Sequence, residues 1–136
     1  MKTWSREFNV STRKHCEVVD VTDKVLAAVR ESGIRNGLLL VLLPHATATL
    51  VLNEDEGGLK QDLLNKLDGL VPQQGNYQHD RIDDNAHAHL KSALFSSPLV
   101  LPIIDGRLVR GTWQNFLLIE ADGPRNRRMV VFAMGE

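Results

Sequence analysis

Residues 98–121 read PLVLPIIDGRLVRGTWQNFLLIEA, and the way they fold decides the architecture. PLVLPII and RLVRGTWQNFLLIEA are rich in branched and aromatic side chains, which suit the pleated surface of a strand. Asp105 and Gly106 lie between them. That dipeptide is a strong hairpin signal, because the tight hairpin turn needs positive φ at both central residues. A second turn, DGPRNR, leads into the strand-like RMVVFAMGE. The last third of the chain is therefore expected to be sheet without intervening helix, and strands joined by such turns run antiparallel.

The helices are expected earlier in the chain. TWSREFNVST (3–12) alternates like a strand, with HCEVVDV (15–21) as its expected partner. Thr22 or Asp23 can cap a helix over DKVLAAVRES, with Val25, Leu26 and Val29 on its apolar face and Gly33 as its stop. GLLLVLLP (37–44) is a continuous apolar run, expected to be a strand buried on both faces, and ATATLVLNE (46–54) follows as another strand. Residues 57–70 place Leu59, Leu63, Leu64, Leu67 and Leu70 at helical spacing. Asn53, Glu54, Asp55 and Glu56 precede that helix as an acidic run, the charge that a helix N-terminus favours. Asp83 or Asp84 can cap a third helix through NAHAHLKSALF, with Ala86, Leu90, Ala93 and Leu94 as its buried face. Helices and strands do not alternate regularly. The expected class is α+β, with largely antiparallel sheets and about three helices, in one domain over residues 1–136.

Composition narrows the function. The 136 residues are 43% hydrophobic and 24% charged, with a net charge of -1. That near balance excludes a general nucleic-acid binder with a basic excess. A single cysteine, Cys16, precludes an internal disulfide or a Cys-rich zinc cluster. It points to a reducing cytoplasm. Residues 1–15 lack the apolar core of a signal peptide, and Leu38–Leu43 is too short an apolar run to span a bilayer. No membrane partner is expected.

Three of the five histidines lie in YQHDRIDDNAHAHL (77–90). Helical neighbours two apart point about 200° from one another, so His87 and His89 cannot both reach one ion. His79 precedes the helix and adjoins Asp80, which could orient an imidazole or act as a general base. His45 follows an apolar strand and Pro44. Imidazoles from three separate elements suit zinc and its first-row neighbours. Arg107, Arg110, Arg125, Arg127 and Arg128 cluster around the two late turns, and arginine forks match phosphate. Neither a P-loop nor a dinucleotide-binding glycine pattern is present. In GTWQ, Thr112 and Gln114 offer polar groups to a pocket, while Trp113 suits a core. Cys16 reads as a packing residue.

The segments LLPHATATLVLNE, YQHD with DNAHAHLKSAL, GTWQ and ADGPRNRR, and the final VVFAMGE together resemble the YjbQ family, also called UPF0047. The resemblance covers essentially residues 15–136. It implies a compact α+β domain assembling as a homotrimer. It also implies an activity of the secondary thiamine-phosphate synthase type, which joins a pyrimidine pyrophosphate to a thiazole phosphate and releases pyrophosphate. The family pattern falls on His45, His79 and His89 as metal ligands, with His79, Asp80 and His89 as catalytic groups. Asn85, Thr112, Gln114, Glu120 and Arg125 fall at its substrate-binding positions. The expected cofactor is a divalent metal, zinc or magnesium, and the expected partner is a small phosphorylated substrate. The same residues would also serve a zinc-dependent hydrolase of a small anionic metabolite, or a trimeric ligand-binding protein without turnover.

Overall fold

Asp105 and Gly106 both adopt positive φ, 52° and 78°, as the hairpin reading requires. They join β5 (Leu99–Ile104) to β6 (Arg107–Leu108). The computed structural model describes residues 1–95 and 98–136. In chain order, the remaining elements are β1 (Lys2–Ser11), β2 (Glu17–Asp20), α1 (Thr22–Ser32), β3 (Gly37–Leu42), β4 (Ala48–Asn53), α2 (Gly57–Leu70), a 3-10 turn (Gln78–Arg81), α3 (Ala86–Ala93), β7 (Asn115–Glu120) and β8 (Asn126–Gly135).

The strands form a five-stranded sheet, β1-β8-β3-β5-β6, and a three-stranded sheet, β2-β7-β4. The pairings are antiparallel. The fold is thus α+β, as expected. One hydrophobic cluster takes Leu39, Val41, Met129 and Val131 from the larger sheet, Leu50, Phe116 and Leu118 from the smaller, and Val25 and Ala28 from α1. The core therefore lies between the two sheets, with α1 against β1, β7 and β8. No helix among the described residues is long and apolar enough to cross a membrane.

Four local expectations are corrected. First, β1 and β2 are not partners: β1 pairs with β8, and β2 with β7. Between them the Glu17 carboxylate accepts the backbone N–H groups of Arg13 and Lys14, at 2.6 and 2.8 Å, and turns the chain from one sheet to the other. Second, RLVRGTWQNFLLIEA is not one strand. Gln114 folds its side-chain oxygen onto the Gly111 N–H at 2.7 Å, and Arg110 donates to the Gln114 carbonyl. The resulting turn ends β6 and starts β7 in the other sheet, and it leaves Trp113 70% exposed rather than in the core.

Third, β3 is buried on one face only. Leu39 and Val41 point into the core while Leu38 is 47% exposed, since alternate residues of a strand face opposite ways. Fourth, α3 turns the other way from the expected one. Ala86, His87, Ala88 and Lys91 are buried, whereas Leu90, Ala93 and Leu94 are exposed. A polar pair on the buried side, His87 with Lys91, defeats the hydrophobic periodicity. Of the leucines on α2, only Leu67 is fully buried. The acidic run does what the helix dipole favours: Glu56 accepts the N–H groups of Gly58 and Leu59.

Candidate functional site

His79 sits in the 3-10 turn, and His89 lies one helical turn into α3. Their rings meet edge to face, with centroids 4.8 Å apart. Two contacts hold this arrangement. Tyr77 donates its hydroxyl to the Pro72 carbonyl at 2.7 Å. Asp80 Oδ1 accepts the Ala86 N–H at 3.1 Å, so Asp80, and neither Asp83 nor Asp84, ties the start of α3. The histidines border a cavity of about 500 Å³ that Tyr77, Ala86 and Leu90 also line, a size usual for small-molecule sites.

A hydrogen-bonded relay runs away from this cavity. His79 Nε2 lies 3.0 Å from Asn85 Oδ1. Asn85 Nδ2 donates to Asp122 Oδ2 at 2.9 Å. Arg125 holds the same oxygen through Nη2 at 2.9 Å and the Asp122 carbonyl through Nε at 2.8 Å. A carboxylate only accepts, so it orients the Asn85 amide. Asn85 must then offer its oxygen to His79, whose Nε2 carries the proton. The Nδ1 lone pair is left for an ion or a proton. Burial works against the charged form of Asp122. The hydrogen bonds from Asn85 and Arg125, with the positive charges of Arg125 and His15, outweigh it and hold the carboxyl below its ordinary range. Gly123 makes this turn possible, because a Cβ there would lie 2.2 Å from the Lys14 carbonyl oxygen.

Four expected site residues therefore form one connected group with His89: His79, Asp80, Asn85 and Arg125. The others lie elsewhere. His45 accepts the Arg128 backbone N–H at Nε2, 2.8 Å away. That bond requires the neutral ring's lone pair. Burial and then the Arg127 charge hold His45 below its ordinary pKa. Thr112 and Gln114 belong to the exposed turn before β7. Glu120 is fully buried and accepts from Thr12 at 2.7 Å, from Arg127 Nε at 2.9 Å and from the Asp122 N–H at 3.1 Å. Arg127 also reaches Thr47. Glu120 and Arg127 are thus a buried ion pair that anchors the turn bearing Asp122. Cys16 is half-buried, and burial pushes its thiol up, consistent with packing. Among the described residues, no three His, Cys, Asp or Glu side chains of the chain are grouped to hold a metal ion.

Asp122 is the residue that sequence reasoning missed. Its signal was present in DGPR, where an acid three residues before Arg125 invites a local ion pair. His87, which points away from His89 as the helix geometry requires, is fully buried.

The model of the family described as UPF0047 protein YjbQ-like matches residues 6–136. The chain belongs to that family. A UPF0047 protein of Archaeoglobus fulgidus is 46% identical over 94% of this chain and 99% of its own length. The UPF0047 protein YugU of Bacillus subtilis is 34% identical over 96% of this chain and 98% of its own. Among solved structures, a Sulfolobus solfataricus protein described as YbjQ-like and of unknown function has a TM-score of 0.97 at 44% identity, covering 99% of both chains. A hypothetical protein of Aeropyrum pernix has a TM-score of 0.94 at 40% identity over the whole of both chains. This chain therefore carries the YjbQ-like fold nearly end to end, and the His79–Arg125 relay lies inside the matched region.

Proposed function

We propose that the chain is a transferase of the thiamine-phosphate synthase type, joining a pyrimidine pyrophosphate to a thiazole phosphate at the His79–His89 cavity. The observation that supports this reading is the pair of facing imidazoles on a cavity of metabolite size, one of them, His79, tied through Asn85 and Asp122 to the Arg125 guanidinium. In such a reaction the electron pair of the breaking C–O bond leaves with pyrophosphate. The group to be stabilised is therefore an anion, and positioned cations are the usual means.

His79 Nδ1 and His89 would hold the divalent ion of such a reaction, since the relay commits Nε2 of His79 as a donor and leaves Nδ1 as a ligand. Such an ion would neutralise charge on the leaving pyrophosphate. The engagement of His45 Nε2 by Arg128 means that two imidazoles of this chain, not three, are presented. Arg125 is the phosphate-binding group, because it is a fork already oriented by Asp122. Asn85 acts through His79. The homotrimer belongs to the same proposal, supported by the apolar side chains Leu38, Val100 and Ile104, exposed on β3 and β5 of the larger sheet.

The test is growth of a thiamine-auxotrophic strain carrying the chain, with pyrophosphate release assayed on purified protein. Rescue by wild type and its loss in His79→Ala would support the assignment. Equal rescue by both would sink it.

A further inference from the structure

Lys91 and His87 lie four residues apart, on the opposite side of α3 from His89. Lys91 is only 5% exposed and His87 is fully buried. The Lys91 ammonium reaches His87 Nδ1 at 3.0 Å. An ammonium only donates, so Nδ1 supplies the lone pair and the ring proton sits on Nε2. That buried Nε2–H has no hydrogen-bond partner among the described residues, a costly state for a donor away from water. Asp68 answers the ammonium at 3.4 Å, but its side chain is 63% exposed. So long and exposed a pair is weak.

Lys91 lines a cavity of about 560 Å³ between α2 and β2, with Lys14, His15, Lys60 and Gln73 also on its wall. The acids of that wall are largely committed elsewhere. Glu17 accepts the Arg13 and Lys14 backbone N–H groups. Glu120 is paired with Arg127. Lys60 pairs with Asp55 at 2.6 Å. His15 Nδ1 donates to the Gly123 carbonyl, 3.2 Å away, and its ring lies 5.6 Å from that of His87. The underused groups at the inner end are thus donors: the ammonium and, behind it, the imidazole N–H.

We propose that this second cavity binds the oxyanion group of a small molecule, a phosphate or a carboxylate, on the Lys91 ammonium, with His87 as the neutral imidazole that orients it. Bound oxyanion replaces the weak contact to Asp68, which is free to swing into solvent. The site lies across α3 from the His79–His89 cavity and does not depend on the reading of that cavity.

The experiment is a titration of the full chain with inorganic phosphate, pyrophosphate and citrate, read on the His87 ring N–H by NMR and as an affinity by calorimetry. Saturable binding that shifts His87 is expected. Lys91→Met should weaken it at least about tenfold. Asp68→Asn, which removes the competing carboxylate, should strengthen it about threefold or more. His79→Ala should leave it unchanged. Binding of the phosphates alone assigns a phosphorylated ligand, and binding of citrate alone a carboxylate. The proposal is overturned if none of the three anions shifts His87 saturably, or if Lys91→Met binds as wild type does. It is equally overturned if His79→Ala abolishes the binding. Should Lys91→Met fail to fold, unchanged or weaker binding in Asp68→Asn overturns it.

Discussion

Asn85 Nδ2 lies 2.9 Å from Asp122 Oδ2, and this bond decides which nitrogen of His79 carries the proton. Asp122→Asn removes the acceptor-only partner, so the Asn85 amide is no longer oriented and His79 samples both tautomers. Ring nitrogen shifts of His79 should show the mixture. Any activity of the cavity should fall about 10–100-fold, the usual cost of losing a partner behind a histidine ligand. An unchanged His79 spectrum would refute the relay.

The Glu120–Arg127 pair predicts stability rather than catalysis. Both residues are buried. Glu120→Gln or Arg127→Met should each lower unfolding free energy by about 3–5 kcal/mol, because the remaining partner is left buried and uncompensated. The double variant should lose less than the sum. Urea unfolding of the three variants measures this.

Acid dependence follows from the same carboxylate. Burial disfavours charge on Glu120, but the hydrogen bonds of Arg127, Thr12 and the Asp122 N–H outweigh it and hold the carboxyl below its ordinary 4.5. Its contribution is present above 4.5 and is lost as pH falls through the depressed folded value. Arg127→Met should shift the acid-unfolding midpoint to higher pH.

The histidines act at milder pH. Burial, followed by the charges of Lys91 and His15, holds His87 below its ordinary 6.5. Only the unfolded chain then takes up the proton readily. Stability is therefore expected to drop once pH falls below 6.5 and to level off beyond the folded value. Comparing urea midpoints between about pH 7.5 and 5.5 for wild type and His87→Gln tests it. A smaller drop is expected in the variant, with His45 supplying the remainder.

The exposed apolar face of β3 and β5 makes the assembly testable. Val100 is 53% exposed, so Val100→Lys should leave the isolated fold intact. If copies of the chain cover this face, the variant should sediment as a monomer where wild type sediments as a trimer. Identical sedimentation of both would place the interface elsewhere.

The hairpin at Asp105-Gly106, the helices over 22–32 and 57–70 and the α+β class were legible because each rests on local chemistry: turn dihedrals, the Gly33 stop and periodicity, although neither Thr22 nor Asp23 caps α1, whose Thr22 hydroxyl accepts the Phe116 N–H instead. The orientation of α3 was not. Leu90 and Leu94 look like core side chains, yet His87 and Lys91 are the buried ones, because Lys91 donates to His87 Nδ1 and the cavity beside Lys91 admits its charge. Which strands pair with β1 and β2 was equally invisible, since nothing local distinguishes β8 or β7 from each other as partners.

By itself the sequence pointed to residues that could do chemistry: His79, His89 and Arg125 stand out by type and place, and Asn85 through the family resemblance. Only the tertiary structure decided which of them meet. A hydrogen bond needs its partners within about 3 Å, and the turn after β7 alone carries Asp122 to Asn85 from 37 residues away. The same packing commits Glu120 to Arg127 and His45 to a backbone N–H. It thereby separates residues that anchor the fold from residues that face a cavity.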